Sequence, residues 1–255
     1  MGRSLLVWPV SEPGAISASV RLPEGLWFDV SALFWAAPGT PLVSDGAAKI
    51  DVPAALGTSP LLLRSGAVVP LRERPRRATA AMEGDPVSLL VGVGSGSKWG
   101  ATGELYSDDG ETFRHQDSAE SLRTRYQLRR SEGGSGEGEQ WELSASTMSL
   151  AMMAGRETSA ATHRLQASLQ RKGDAPVPAA AWAGAKLLKV TVLGMEACPS
   201  KAEVVSVADG SVEIGATSAE VICEKGEVEE AAPRMVEVRL KGLLAHGDWK
   251  VRIDV

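Results

Sequence analysis

The sequence predicts an all-β fold of the sandwich or barrel type. Short runs rich in Val, Leu and Thr alternate with Gly, Pro and Asp, which are typical turn residues. In segments 189–193 and 236–240, apolar and polar side chains alternate, so one face of each strand can be buried. No stretch keeps the period of a helix for more than about three turns. Many short strands with a turn signal roughly every 8–12 residues are typical of sandwiches and barrels, not of a βαβ sheet.

The predicted strands are short and each is bounded by turn residues. They cover residues 4–10, 17–22, 61–63, 68–71, 87–93, 122–128, 141–145, 187–193, 202–207, 236–240 and 249–255. Residues 147–156 (TMSLAMMAGR) are the best candidate for a short helix, and residues 162–171 fit a strand equally well.

Two segments interrupt this pattern. Residues 72–85 (RERPRRATAAMEGD) are basic and then Ala-rich, and the arginines at 64, 72, 74, 76 and 77 could form an anion site. A solvated connector, or pairing with acids on a neighbouring domain, is the favoured interpretation. Residues 131–139 (SEGGSGEGE) have the composition of a flexible loop and predict a long hairpin connection inside one domain.

Composition excludes several classes of protein. The chain has 255 residues, of which 44% are hydrophobic, and its formal charge is −5, so it can form a core and lacks the basic surplus of a general nucleic-acid binder. No apolar run approaches the roughly 20 residues of a membrane-spanning helix. The two cysteines, Cys198 and Cys223, could pair across neighbouring strands, but two separate half-buried thiols are the favoured interpretation.

No residue qualifies as a catalytic, cofactor-binding or metal-binding residue. The glycines of residues 92–96 lack the spacing of a dinucleotide-binding loop, and Asp108, Asp109 and Glu111 lack that of a calcium loop. Around Asp109 a hairpin turn is expected instead, between strands at 104–106 and 112–114. The three histidines, His115, His163 and His246, are isolated in sequence and are expected at the surface or in loops.

The seven tryptophans offer the remaining candidate site. An exposed Trp can stack on the apolar face of a sugar, and three Trp-containing positions lie near predicted loops. Core or interdomain packing is the favoured interpretation of these residues. The candidate positions are Trp27–Phe28, Phe34–Trp35 and Trp99, and the other tryptophans are Trp8, Trp141, Trp182 and Trp249.

Several segments, taken in order, resemble the region that follows the catalytic barrel in family 31 glycoside hydrolases, the retaining α-glucosidases. They are residues 2–10 (GRSLLVWPV), 20–29 (VRLPEGLWFD), 61–72 (LLLRSGAVVPLR), 85–91 (DPVSLLV) and 103–113 (GELYSDDGETF). Residues 76–86, 189–194 and 247–253 resemble the endoplasmic-reticulum members of the family. The likeness fades between about residues 115 and 185, where the sequence is expected to carry insertions.

The resemblance implies two β-sandwich domains, a proximal one at residues 1–79 and a distal one at residues 80–255 that carries the flexible loop near 131–139. It also implies that the catalytic barrel, which supplies both catalytic Asp residues in this family, is absent from the chain. The isolated chain is therefore expected to be inactive, and no catalytic residue, cofactor or metal ligand is transferred to it.

The same resemblance implies partners and a compartment. The parent reaction would be hydrolysis of terminal α-linked glucose, with N-glycans as the expected substrate. The partners would be the missing barrel, on the same or a separate chain, and a non-catalytic β subunit. The compartment would be the endoplasmic-reticulum lumen, although the chain carries no signal peptide and its first residue is expected to be internal. The alternatives are a free-standing carbohydrate-binding module and a protein-interaction module.

Overall fold

The computed structural model describes residues 2–31, 40–82, 84–94, 100–108, 121–131, 140–149, 184–207, 218–224 and 235–255. Within these ranges the protein has sixteen β-strands and one short 3-10 helix, and no α-helix. The prediction of an all-β fold is confirmed. None of the described elements is a helix long and apolar enough to cross a membrane.

The first strands of the chain form two small sheets. The middle sheet has the order β1-β6-β3-β4, and the outer sheet pairs β2 with β5. In β2, Ala18 and Val20 are buried while their neighbours are exposed, as the alternation of the sequence predicts. These strands are β1 (Leu5–Val7), β2 (Ser17–Arg21), β3 (Gly25–Asp29), β4 (Thr40–Ser44), β5 (Lys49–Pro53) and β6 (Leu61–Arg64).

The remaining strands form one large sheet with the order β13-β16-β11-β10-β9-β7-β8-β12-β15-β14. Its pairs are antiparallel except β7 with β9 and β8 with β12. A 3-10 helix, Thr79–Met82, lies between β7 and β8. The strands are β7 (Ala67–Leu71), β8 (Val87–Gly92), β9 (Ala101–Ser107), β10 (Leu122–Ser131), β11 (Gln140–Ser149), β12 (Leu187–Leu193), β13 (Lys201–Val207), β14 (Ser218–Glu224), β15 (Met235–Lys241) and β16 (Trp249–Asp254).

The three sheets pack as layers, with the middle sheet between the other two. Neighbouring side chains on β3 show this, because successive residues of a strand point to opposite faces. Trp27 packs in a core with Val20 and Val52 of the outer sheet. Phe28 packs in a second core with Leu90 and Leu193 of the large sheet. β3 therefore contributes a buried side chain to both sandwich interfaces.

The large sheet curls around its own core and is nearly closed. Its centre holds large side chains from β10 and β16, including Tyr126 and Trp249, whose rings lie 6.1 Å apart between centroids. The Tyr126 hydroxyl donates a hydrogen bond to the carbonyl oxygen of Ala245 at 2.6 Å. The edge strands β13 and β14 come into contact, which gives the sheet its barrel-like form.

The structure tests two sequence predictions, the long hairpin around residues 131–139 and the short helix at residues 147–156. β10 and β11 pair from Leu122–Ser149 to Ser131–Gln140, so the long hairpin is confirmed, while its tip at 132–139 lies outside the described residues. The short helix at 147–156 is wrong over residues 147–149, which continue β11 because they pair with β10. Its remainder, and the strand candidate at 162–171, lie outside the described residues.

The chain passes from the middle sheet to the large sheet between β6 and β7. This turn contains Gly66 at a φ of 85°, a conformation that residues with a Cβ adopt at a cost. β7 then pairs with β8 inside the large sheet. The crossing therefore occurs upstream of the Arg-rich connector at 72–85.

Candidate functional site: a cleft between two diverging strands

A cleft opens where the parallel strands β7 and β9 move apart. They pair at the register position Ala67–Thr102, and no further β7–β9 pair occurs among the described residues. One residue further on, a Cβ built on Gly103 would lie 1.9 Å from the carbonyl oxygen of Val68, so only glycine fits this close approach. The strands are thus tightly joined at one end and separate at the other.

The cleft lies between the carboxyl ends of the two strands and has a volume of about 340 Å³. Its lining combines apolar and polar side chains. The lining residues are Pro70, Leu71, Arg72, Val87, Leu105, Tyr106, Ser107 and Asp108.

Tyr106 and Asp108 form the outer polar part of the cleft. Tyr106 is about half exposed, and its side-chain hydroxyl donates a hydrogen bond of 2.9 Å to Oδ2 of Asp108. Partial burial raises the pKa of Tyr106, and the hydrogen bond and negative charge of Asp108 raise it further. The phenol therefore stays neutral and remains a donor to the carboxylate at physiological pH.

Ser107 forms the inner polar wall and is connected to a buried chain of hydroxyl groups. Its Oγ lies 2.8 Å from Nε2 of His246, and Nδ1 of His246 lies 2.7 Å from Oγ1 of Thr124. Thr124 Oγ1 in turn lies 2.7 Å from Oγ1 of Thr147. The chain ends where Thr147 Oγ1 donates to the carbonyl oxygen of Gly247 at 3.1 Å.

This end point fixes the direction of every hydrogen bond in the chain. Thr147 has one hydroxyl proton and gives it to a carbonyl, so Thr147 must accept from Thr124. Thr124 therefore accepts from Nδ1–H of His246, and Nε2 accepts the hydroxyl proton of Ser107. The Ser107 oxygen therefore keeps only acceptor capacity, because its proton is used in the hydrogen bond to His246.

Burial, and to a smaller extent the positive charge of Arg72, lower the pKa of His246 to about 4. The imidazole is therefore neutral at pH 7, in agreement with the tautomer that the hydroxyl chain requires. His246 lies in the connection between β15 and β16, as expected for a loop residue, but it is 6% exposed and therefore not at the surface. His115 and His163 lie outside the described residues.

The arginines considered as an anion site do not converge on one point. Arg64 lies over the ring of Trp27, with 5.7 Å between its guanidinium carbon and the ring centroid. Arg72 reaches the cleft, where burial lowers its pKa against the opposing charge of Asp85. Arg76 donates hydrogen bonds from Nε and Nη2 to the two carboxylate oxygens of Asp85, at 2.8 and 2.6 Å.

Asp85 is thus the acid that this basic segment surrounds. Its pKa is lowered first by the hydrogen bonds from Arg76 and then by the charges of Arg76, Arg74 and Arg72. Arg76 thus pairs with an acid of its own segment, whereas the sequence favoured a solvated connector or acids on a neighbouring domain over an anion site.

The glycine and acidic motifs are only partly described. Gly92 ends β8 as part of a strand, whereas residues 95–99 lie outside the described residues. Asp108 follows β9 directly and lines the cleft, while Asp109 and Glu111 lie outside the described residues. The antiparallel partner of β9 is β10, which begins at Leu122. Within the described part of the chain, no three His, Cys, Asp or Glu side chains group as a metal site.

The tryptophans that the structure describes are mostly core residues. Trp27, Trp141 and Trp249 are buried, in agreement with the favoured packing interpretation, and Trp8 is 37% exposed. Trp35, Trp99 and Trp182 lie outside the described residues. The sequence did not single out Tyr106 as a candidate site residue. Its position two residues before Asp108 places both side chains on one face of an extended chain, which could have indicated it.

Cys198 and Cys223 form a disulfide, so the favoured interpretation of two separate thiols is wrong. Cys198 precedes β13 and Cys223 lies in β14, and these strands are the two edges of the large sheet. The two thiols meet because the sheet curls, which no local sequence pattern reveals.

Comparison with known proteins agrees with this architecture. Residues 1–69 match the family described as "Glycosyl hydrolase family 31 C-terminal domain". "Neutral alpha-glucosidase AB" of Mus musculus is 34% identical over 128 residues, which are 49% of this chain and 12% of the mouse protein. "Probable glucan 1,3-alpha-glucosidase" of Oryza sativa is 37% identical over 120 residues, 47% of this chain and 12% of the rice protein.

Solved structures share the fold over nearly the whole chain. The glucosidase II alpha subunit in its Glc1Man2-bound form matches with a TM-score of 0.63 at 19% identity, over 99% of this chain and 23% of that protein. The Flavobacterium johnsoniae GH31 dextranase complexed with glucose matches with a TM-score of 0.59 at 18% identity, over 100% of this chain and 26% of that protein.

The fold and the match at residues 1–69 confirm the resemblance to the C-terminal β-domain region of family 31 glycoside hydrolases. The relatives that match in sequence include neutral α-glucosidases, and the solved structures that share the fold include the glucosidase II alpha subunit and a dextranase. The chain spans about 12% of the length of the curated relatives that it matches.

Proposed function

We propose that this chain forms the non-catalytic C-terminal β-domains of a family 31 α-glucosidase like glucosidase II, and that these domains pack on a catalytic barrel. The parent activity is hydrolysis of terminal α-linked glucose from N-glycans. The division into a proximal domain at 1–79 and a distal domain at 80–255 is part of the proposal, with β7 of the first segment completing the large sheet of the second.

The observation that carries the proposal is the placement of exposed apolar side chains. Among the described residues, most of the exposed large apolar side chains lie in the first 56 positions, within the segment that matches the family. Leu56 is fully exposed and Ile16 is 81% exposed. These residues are near each other, because Ala54 donates a backbone hydrogen bond to Ile16 at 2.9 Å. Clustered apolar exposure of this kind is typical of a surface that another protein body covers.

The cleft supports a non-catalytic role. Retaining glycosidases need two carboxylates about 5–5.5 Å apart, one as nucleophile and one as acid and base. Of the described residues that line the cleft, Asp108 alone carries a carboxylate. Ser107 and His246 are hydrogen-bonded, but burial and Arg72 both disfavour the imidazolium that a general base would become.

The disulfide supports the proposed compartment. Disulfides persist in oxidising environments such as the endoplasmic-reticulum lumen and are rare in the cytosol. Cys198–Cys223 is therefore consistent with a luminal protein. A non-catalytic β subunit is the further proposed partner, because one similar structure is described as an "ER glucosidase II heterodimeric complex" of a catalytic subunit with the binding domain of a regulatory subunit.

Enzyme assay of the pure chain tests the proposed lack of catalysis. We expect no hydrolysis of p-nitrophenyl α-glucoside above the rate in buffer. Turnover that follows the protein through purification and is inhibited by deoxynojirimycin would overturn the proposal.

Sedimentation tests the proposed covered surface. We expect the isolated chain to self-associate, and the triple variant Val7→Ser, Ile16→Ser, Leu56→Ser to be mainly monomeric. The matched control is Leu188→Ser, Val205→Ser, which removes exposed apolar side chains from the large sheet instead. Equal association of both variants, or a monomeric parent chain, would contradict the assignment of this surface.

A further inference from the structure

We propose that the cleft between β7 and β9 binds one neutral hexopyranose unit of a glycan. The residues that carry the proposal are Tyr106, Ser107, Asp108 and Arg72, together with the apolar wall behind them. This site goes beyond the proposed function and does not depend on it, because support of a barrel requires no sugar site in these domains.

The size of the cleft fits a small ligand. Its volume of about 340 Å³ lies at the lower end of the range of roughly 300–1,000 Å³ for small-molecule pockets. The cleft is built by the fixed contact at Gly103 and the separation of the strands beyond it, so its shape is set by the sheet.

The walls match the two kinds of surface on a pyranose ring. Leu71 and Leu105, which are partly exposed, provide an apolar surface in front of the buried Val87, and the half-exposed ring of Tyr106 provides an aromatic one. Pyranoses have an apolar C–H face that stacks on such rings, while their hydroxyl groups point outward around the ring edge.

The polar groups supply both donors and acceptors. Arg72 is a donor with a planar guanidinium group, and Asp108 is an acceptor with two oxygens. Ser107 is held as an acceptor because its own proton is committed to His246. Each sugar hydroxyl can both donate and accept a hydrogen bond. A sugar therefore satisfies this mixture of donors and acceptors better than a ligand that carries only donors or only acceptors.

The charges select a neutral ligand. Arg72 lies on one side of the cleft and Asp108 on the other, and Asp85 offsets Arg72 from behind. An anion would meet Asp108, and a cation would meet Arg72, so either would experience repulsion in the cleft.

NMR titration of the full chain tests the proposal, with methyl α-glucoside and maltose as probes. We expect saturable shifts of the amide signals of residues 70–72 and 105–108, with a dissociation constant on the order of 1 mM. The imidazole signals of His246 should shift with the same dissociation constant, because Ser107 connects the ring to the cleft. Inorganic phosphate should cause no saturable shift at these positions.

Variants separate the contributions. Tyr106→Ala should weaken binding roughly tenfold through loss of the stacking surface, and Asp108→Asn about tenfold through loss of a charged acceptor. Tyr106→Phe keeps the ring and should retain most of the affinity. The controls Val43→Ala and Lys250→Gln alter exposed positions that do not line the cleft, and these variants should bind as the parent chain does.

The proposal would be overturned if no shifts appeared at sugar concentrations on the order of 100 mM, where a site of millimolar affinity is saturated. Shifts centred elsewhere on the chain, or equal affinity of Tyr106→Ala and the parent chain, would also overturn it. Saturable binding of phosphate in preference to sugar would contradict the choice of ligand.

Discussion

The disulfide between Cys198 and Cys223 joins the two edges of the large sheet. Cys223 lies in the edge strand β14, and Cys198 leads into the opposite edge strand β13. Exposed strand edges are free to pair with other chains, and proteins commonly protect them. The disulfide therefore holds together a sheet that its backbone hydrogen bonds leave nearly, but not fully, closed.

Removal of this disulfide should destabilise the fold. The two cysteines are separated by 25 residues in sequence, and a closed loop of this length is worth about 3.5 kcal/mol in the chain-entropy description. We expect Cys198→Ser, Cys223→Ser to lower the free energy of unfolding by about that amount in urea titrations. Dithiothreitol should destabilise the parent chain equally and leave the double variant unaffected. Resistance of the parent chain to dithiothreitol would contradict this account.

His246 should make stability depend on pH in an acidic window. Its pKa is lowered from 6.5 to about 4 in the folded protein, first by burial and then by Arg72. The unfolded chain therefore binds the proton more readily, so the stabilisation is complete above pH 6.5 and is lost as the pH falls toward 4. The loss amounts to about 3 kcal/mol, on the scale of 1.4 kcal/mol per pKa unit.

His246→Gln provides the measurement for this pH dependence. Glutamine can donate to Thr124 and accept from Ser107 but does not titrate. We expect the variant to be less stable than the parent at pH 7 and to lose less stability between pH 6.5 and 4. Parallel stability curves for the two proteins across this window would show that His246 is not the titrating group.

Gly103 should not tolerate a side chain. A Cβ there would lie 1.9 Å from the carbonyl oxygen of Val68, so β7 would have to move away from β9. We expect Gly103→Ala to cost about 3 kcal/mol, at the upper end of typical overpacking effects. Gly184→Ala is the matched control, because nothing lies within 4 Å of its added Cβ. Thermal unfolding of both variants checks the difference, and equal midpoints would contradict the close approach.

Phe28 should couple the middle and large sheets. It is 1% exposed and packs against Leu90 and Leu193 across the layers. We expect Phe28→Ala to destabilise the chain by about 3–5 kcal/mol, as large-to-small changes in cores do. Val43→Ala, at an exposed position of β4, should have little effect. Because β7 belongs to the large sheet, we also expect one cooperative unfolding transition in calorimetry. Two separate transitions would contradict this coupling.

Local patterns in the sequence were sufficient for much of the strand content. β12 matches its predicted bounds, Leu187–Leu193, and β16 (Trp249–Asp254) differs from its prediction by one residue. Alternation and continuous apolar runs are local properties, so they can be recognised without knowledge of the partner strands. The helix proposed at 147–156 failed over residues 147–149 because pairing with β10 outweighed local preference.

The candidate site could not be predicted in the same way. Ser107 and His246 are 139 residues apart in sequence, and Thr124 and His246 are 122 apart. Asp108 was a candidate on local grounds, but neither the partner groups nor the cleft follow from its neighbours. The cleft exists because β7 and β9 meet at Gly103 and then diverge, which is a relation between strands.

The sequence by itself determined the all-β class, the positions of many strands and the resemblance to family 31, because each depends on residues that are close together in the chain. Only the tertiary structure decided that Cys198 and Cys223 pair, that His246 is buried and neutral, and that Tyr106 and Arg72 share a cleft. These relations depend on how the large sheet curls and where its strands separate. Curvature and strand order arise from contacts between distant segments, which no local pattern encodes.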